Sequence, residues 1–141
     1  VNDDGILAPG IRKLISIMND FGKVVVVAPD NSQSGIGHAI TLNTTLRCEK
    51  VIIDDGPQNE YSVSGTPVDC VKLAVNMILD RKPDLCVSGI NHGSNSSINV
   101  IYSGTMSAAI EGALEEIPAI GFSLLDYSHD ADFYDSQHIH L

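Results

Sequence analysis

Oxygen-bearing side chains gather at three places in this sequence, each directly after an apolar stretch that reads as a strand or its stump. Asn2, Asp3 and Asp4 follow Val1; Asp30, Asn31, Ser32 and Ser34 follow Val24–Ala28; Asn91 and Asn95 follow Leu85–Ser88. Two adjacent carboxylates with hydroxyl and amide oxygens form a hard donor set. Such a set suits Mg²⁺, Mn²⁺ or Ca²⁺ rather than the softer metals that thiolates and imidazoles select. Asp-Asp-Gly alone is an ordinary turn, so the metal reading depends on three strand ends meeting at one edge. Asp30 and Asn31 are read as turn-formers. The small residues Ser34-Gly35-Ile36-Gly37 and Ser103-Gly104-Thr105 let backbone N–H groups approach an anion. The second group opens a helix, where free N–H groups and the helix dipole favour phosphate. Helix capping by Ser103 or Thr105 is the plainer reading and is compatible with that one. His38 and His92 stand in the same loops and are candidate proton donors or substrate contacts.

Other chemistries lack their residues. Gly35-Ile36-Gly37-His38-Ala39-Ile40 has Ile where a dinucleotide fingerprint needs its third glycine, and no Gly-Lys-Ser/Thr of a P-loop occurs. Gly121-Phe122-Ser123 lacks the closing glycine of a nucleophile elbow. Cys48, Cys70 and Cys86 form no CxxC pair or zinc spacing. Cys70 and Cys86 lie in apolar runs and read as small buried hydrophobes, as suits a reducing compartment. The net charge of −10, from 8 Lys and Arg against 18 Asp and Glu, excludes holding a nucleic-acid polymer by phosphate neutralisation. It leaves room for a small phosphate ester, because a bound cation reverses the local field. No apolar run approaches the ~20 residues of a membrane span, so no membrane partner is expected.

The elements that must hold these groups alternate in type. Pro9 opens a helix whose Ile11, Leu14, Ile15 and Met18 form one apolar stripe, with Gly22 placed to end it. Val24–Ala28 is β-branched without alternation, the pattern of a central parallel strand. Residues 40–54 and 60–64 read as shorter strands around an Asp55-Gly56-Pro57 turn. Thr66-Pro67-Val68-Asp69 is a helix start with cap, first-turn proline and a following acid; Val68, Val71, Val75, Ile78 and Leu79 carry its apolar side. Asp84–Ser88 is the next buried strand, and Gly89–Asn95 a polar loop. Ser103-Gly104-Thr105 starts a third helix with Met106, Ala109, Ile110, Ala113 and Leu114 on its apolar side, followed by the strand Ala119–Leu124. The 141 residues suit one domain. The alternation predicts an α/β fold: three layers, a mainly parallel sheet with helices on both faces, and ligands beyond the carboxyl ends of the strands.

Seven segments, in order and spacing, resemble the SurE family of stationary-phase survival proteins, which are metal-dependent 5′/3′-nucleotidases. They are Val1–Ile6, Ala8–Ile11, Val26–Asp30, Ser34–Thr41, Gly65–Val71, Ser88–Asn95 and Tyr102–Thr105. The resemblance implies a Rossmann-like domain over 1–141, with a divalent cation, Mg²⁺ or Mn²⁺, held by Asp3, Asp4, Ser34 and Asn91. It places substrate phosphate near Asn95 and the Ser103-Gly104-Thr105 helix start. It implies a cytoplasmic homodimer or tetramer that hydrolyses nucleoside monophosphates. Family members carry more residues before the position of Val1 and after that of Leu141. The chain is therefore expected to be partial at the first strand and to lack a C-terminal oligomerisation region.

Residue chemistry and resemblance lead to one mechanism: water activated at the cation attacks phosphorus in line. Asp3 or Asp4 orients or deprotonates that water, Asp3 being preferred. Asn95, Ser103 and the N–H groups near Thr105, with Ser34 and Gly35 at the opposite loop, receive the phosphate oxygens. Two rivals come from other classes. A receiver-like signalling module shares the acidic pair, yet Asn91 stands after the strand where it needs an aspartate, and no lysine follows Lys82. A metal- and nucleotide-binding fragment without turnover is separated from the enzyme by phosphate release.

Overall fold

The computed structural model describes residues 1–33, 35–93 and 103–124. Pro9 occupies the first position of α1 (Pro9–Met18), where its missing N–H costs no helical bond. Ile11, Leu14 and Ile15 of the expected stripe are buried and Met18 is half-buried. The helix ends four residues before Gly22: Asn19 closes it, with its side-chain amide on Gln58 Oε1 at 2.9 Å. Gly10 lets α1 settle onto the strand beside it, since a Cβ there would lie 2.2 Å from the Ile90 carbonyl oxygen.

Strand β1 (Val25–Pro29) pairs in parallel with β3 (Asn59–Val63), and β3 pairs antiparallel with β2 (Cys48–Val51). The order is β1-β3-β2. Within the expected 40–54 span, only Cys48–Val51 is strand. A second parallel pair joins β4 (Cys86–His92) to β5 (Ala119–Leu124). Val1 runs beside β4 as a parallel strand does: its amino group donates to Val87 O at 3.0 Å, and Gly89 N–H donates to Val1 O at 2.9 Å.

Successive residues of a strand face opposite sides, and the packing follows that rule. Val26 and Ala28 pack with Ile11 and Ile15 of α1, whereas Val27 packs with Cys70 of α2 (Pro67–Leu73). Cys86 packs with Ala108 of α3 (Gly104–Leu114), whereas Val87 lies on the Leu14 side. Helix α1 therefore covers one face and α2 and α3 the other, which is the three-layer α/β arrangement expected. Helix α2 carries the full capping box, with Asp69 N–H on Thr66 Oγ1 and Thr66 N–H on Asp69 Oδ2. It continues as a π-helical turn, Ala74–Ile78. Cys70 and Cys86 are buried and unbridged, as expected; Cys48 is exposed.

Two further expectations need correction. β4 does not stop at Ser88: it runs to His92 through Gly89, because Asn91 and His92 pair with Ser123 and Leu124 after a register shift. The face of α3 also differs. Thr105, Ser107, Ala108, Ala109, Glu111 and Gly112 are buried, while Ile110, Ala113 and Leu114 are exposed, Leu114 at 69%. Small residues decide this: a Cβ on Gly112 would lie 2.9 Å from Cys86 Cβ, so the helix sits too close to β4 for a large side chain to intervene.

Candidate functional site at the carboxyl edge of the strands

Asp3 lies where the segment after Val1 reaches the N-terminus of α3. Its side chain is 97% enclosed, with relative exposure of 3%. Thr105 Oγ1 donates to Asp3 Oδ1 at 2.6 Å. Gly104 makes the approach possible, because a Cβ at that position would stand 2.5 Å from Asp3 Cβ. Ser103 caps the helix by accepting the Met106 N–H at 3.1 Å, and its carbonyl accepts the Ser107 N–H. The N–H groups of Gly104 and Thr105 precede the first intrahelical bond, so the helix itself supplies them no acceptor.

The loop after β1 is tied to the same place. Ile6 N–H donates to Pro29 O at 2.8 Å, and Gln33 N–H donates to Asp3 O at 2.6 Å, so the residue before Ser34 is bonded to the backbone of Asp3. Asp30 and Asn31 bond to each other, Asn31 Nδ2 on Asp30 Oδ1 at 2.9 Å, in keeping with a turn. Further along, Thr66 Oγ1 donates to Ala39 O at 2.6 Å, and the Asp69 carboxylate accepts the Thr41 N–H and hydroxyl at 3.0 and 2.6 Å. Burial pushes the Asp69 pKa up, but the hydrogen bonds from Thr41 and Thr66 outweigh it and hold the carboxyl below its ordinary value.

At the end of β4, Asn91 is half-buried and its Nδ2 donates to Gly93 O at 3.0 Å. Val1 pairs opposite Ser88, so Asp3 and Asn91 both lie just beyond that pair on parallel neighbours. The segment after Val1, the loop after β1 and the N-terminus of α3 are thus bonded to one another, and the end of β4 lies on the same edge through its register with Val1. Among the predicted site residues, Asp3, Asp4, Gly35, Asn91, Ser103, Gly104 and Thr105 are described; Ser34 and Asn95 lie outside the described residues. No group of three His, Cys, Asp or Glu suited to a metal occurs among the described residues. The expected donor set has only two carboxylates and is not of that kind.

Asp3 still fits a cation. A carboxylate enclosed this far needs a compensating charge; its side-chain partner among the described residues is a neutral hydroxyl, and no ion pair reaches it there. The fully buried Asn2 beside it has an Oδ1 without a hydrogen-bond donor. Hard oxygen acceptors short of donors are what a divalent cation satisfies.

Sequence reasoning passed over Glu111, which lies two turns along α3 from Thr105. It is 3% exposed; its Oε2 accepts from His38 Nε2 at 2.9 Å and its Oε1 pairs with Lys72 Nζ at 2.5 Å. Its only sequence signal is an acid within an otherwise small and apolar helix. His92 lies at the end of β4 and half-buried. A cleft of about 750 Å³ lies elsewhere, lined mainly by apolar residues of α1, β1 and the π-helical turn with Lys23, Asp80, Arg81 and Asp84, and holds none of the predicted site groups.

Comparison with known proteins gives a consistent answer. The family described as Survival protein SurE matches residues 1–140. Relatives named 5′-nucleotidase SurE are 74% identical in Flavobacterium johnsoniae and 70% in Flavobacterium psychrophilum, each over 132 residues, 94% of this chain. A relative of the same name in Bacteroides thetaiotaomicron is 52% identical over 132 residues. The chain spans about half the length of these relatives, 51% in each. The crystal structure of the SurE protein from Aquifex aeolicus superposes with a TM-score of 0.82 at 41% identity, covering 95% of this chain and 54% of that one.

Proposed function

The chain belongs to the SurE family, and from that premise we propose that it carries the catalytic edge of a phosphomonoesterase acting on nucleoside 5′-monophosphates, and on 3′-monophosphates as well. The observation that carries the reading is Asp3: an enclosed carboxylate held by Thr105 against the N-terminus of the helix whose free N–H groups suit phosphate. The names of the relatives supply the substrate class.

Asp3, Asp4, Ser34 and Asn91 would hold a divalent cation, Mg²⁺ or Mn²⁺. When bound, it would polarise a phosphate oxygen and acidify water. The protein does the rest. Asp3, with one oxygen engaged by Thr105, keeps the other to orient water or take its proton. The N–H groups of Gly104 and Thr105, with Ser103, Asn95 and Gly35, receive the equatorial phosphate oxygens as charge builds on them. The close approach of Gly104 to Asp3 and the bond from Thr105 leave its carboxylate little freedom to turn away. Because β4 carries Asn91 and His92 at its carboxyl end and no aspartate, a phosphorylated aspartate of a receiver has no counterpart there. Assembly as a dimer or tetramer and a cytoplasmic setting belong to the same reading; no helix among the described residues is long and apolar enough to cross a membrane.

Phosphate release from 5′- and 3′-mononucleotides with Mn²⁺, Mg²⁺ or EDTA is the direct test, on this chain and on a longer form joined to the remaining length of the Flavobacterium johnsoniae relative. Release that EDTA abolishes supports the reading. Silence from a longer form that folds and binds Mn²⁺ refutes it. In the active form, Asp3→Asn is expected to lower kcat at least ~100-fold, about 2.7 kcal/mol of barrier; near-normal turnover by that folded variant would remove Asp3 from the role.

A further inference from the structure

Helix α3 touches the site at two levels. At its start Thr105 bonds Asp3; two turns later Glu111 bonds His38, which sits 73 residues away in the loop that follows β1. We infer that Glu111 is a positioning residue: its buried carboxylate fastens the 35–41 loop to α3 through His38 and so sets Gly35, the chain neighbour of the proposed cation ligand Ser34, in register with Asp3. The inference rests on the nucleotidase reading for its consequence, though not for its geometry.

The two oxygens of Glu111 have separate duties. Oε1 takes the Lys72 ammonium, which neutralises a charge that burial would otherwise make costly. Oε2 is then available for His38. Lys72 also reaches Glu115 at 3.5 Å, so the lysine keeps an acid partner without Glu111, whereas the side chain of His38 is partnered among the described residues by Glu111. The His38 contact is therefore the part of the cluster that charge balance does not require.

The loop shows why a fastening is needed at that point. It is bonded to Asp3 through Gln33 at its start and to α2 through Ala39 and Thr41 at its end. Between those ties, Gly35 and Gly37 adopt positive φ of 80° and 70° and no side chain is met within 4 Å of a Cβ on Gly35. Positive φ at both glycines, with open space around Gly35, leaves the segment loosely held there, and His38 is the side chain that spans from it to α3. Supports one step removed from a ligand commonly govern metal affinity by orienting it.

The test uses His38→Ala, His38→Gln and Glu111→Leu, singly and combined, with three readouts: amide exchange at Ala39 and Thr41, Mn²⁺ affinity by calorimetry, and KM against kcat for a nucleoside 5′-monophosphate. His38 is partly exposed, so its variants are expected to fold; Glu111→Leu keeps an apolar filling should the charge be dispensable. His38→Ala should weaken Mn²⁺ binding about tenfold and raise KM by a similar factor, with kcat changed less than threefold and faster exchange at both amides. Gln retains an N–H donor and should restore each value to within about twofold. On the Glu111→Leu background, Ala and Gln should become equivalent. If Glu111→Leu lowers Tm while Mn²⁺ affinity, KM and exchange stay unchanged, or if Gln still outperforms Ala without Glu111, the inference is overturned. Absence of hydrolysis in every form would refute the nucleotidase reading alone, since exchange and Mn²⁺ binding are read without turnover.

Discussion

Helices α1 and α3 lie on opposite faces of the same strands, and they are held by different physics. α1 is anchored by aliphatic side chains: Ile11 at 1% exposure, with Leu14 and Ile15, fill two apolar clusters against β1 and β4. α3 buries Ser107, Ala108, Gly112 and Glu111 and leaves Ile110 and Leu114 outside. Its close seat against Cys86 comes from the lack of side-chain volume, and its rotation from Thr105 on Asp3 and Glu111 on Lys72 and His38. The difference teaches that a helix used for stability can tolerate small shifts, whereas one that presents a site is located by short polar contacts at defined atoms.

That contrast can be broken or sharpened by substitution. The largest effect belongs to Ile11→Ala, expected to cost about 3–4 kcal/mol of stability through a cavity that α1 cannot collapse, while activity per folded molecule is unchanged; thermal melts with a folded-fraction assay decide it. Gly104→Ala should reverse that pattern. The added methyl collides with Asp3, so kcat/KM should fall about 100-fold, equivalent to about 2.7 kcal/mol, with a far smaller change in Tm. Equal losses of stability from both variants would erase the distinction between the helices.

Asp69→Asn is intermediate, about 1.5 kcal/mol at neutral pH, because charge-assisted bonds from Thr41 and Thr66 lose their acceptor. The folded-state pKa of Asp69 lies below the ordinary carboxyl value of 3.8. Its contribution is therefore present above that value and lost as pH falls through the folded pKa. The stability difference between wild type and variant should shrink on acidification below about pH 4, as followed by urea unfolding across pH. The smallest effect is Leu114→Gln, within about 0.5 kcal/mol, since the side chain is 69% exposed; a loss above 2 kcal/mol would place Leu114 in a contact this chain does not show.

Much was legible in the residues alone. The capping box at Thr66 and Asp69 is a local device whose four residues suffice to define it, and it formed as read. Val25–Pro29 is buried and parallel because a β-branched run without alternation needs cover on both faces. The expectation failed for Gly89 to His92, where polar residues and glycine suggested a loop. There the backbone bonds to β5 outweigh composition, and Asn91 ends as a strand residue rather than a loop residue. It failed again on α3, where Ile110, Ala113 and Leu114 of the expected apolar stripe face outward while Ala109 is buried.

By itself the sequence determined the alternation of strands and helices, where α1, α2 and α3 begin, and the membership of the family, because period, caps and motif order are properties of neighbouring residues. The tertiary structure alone decided which side of α3 is buried and that His38, Lys72 and Glu111 meet. Burial of a carboxylate is favourable only when its partners arrive from distant segments, and a small-residue face becomes a contact face only when another surface is shaped to reach it.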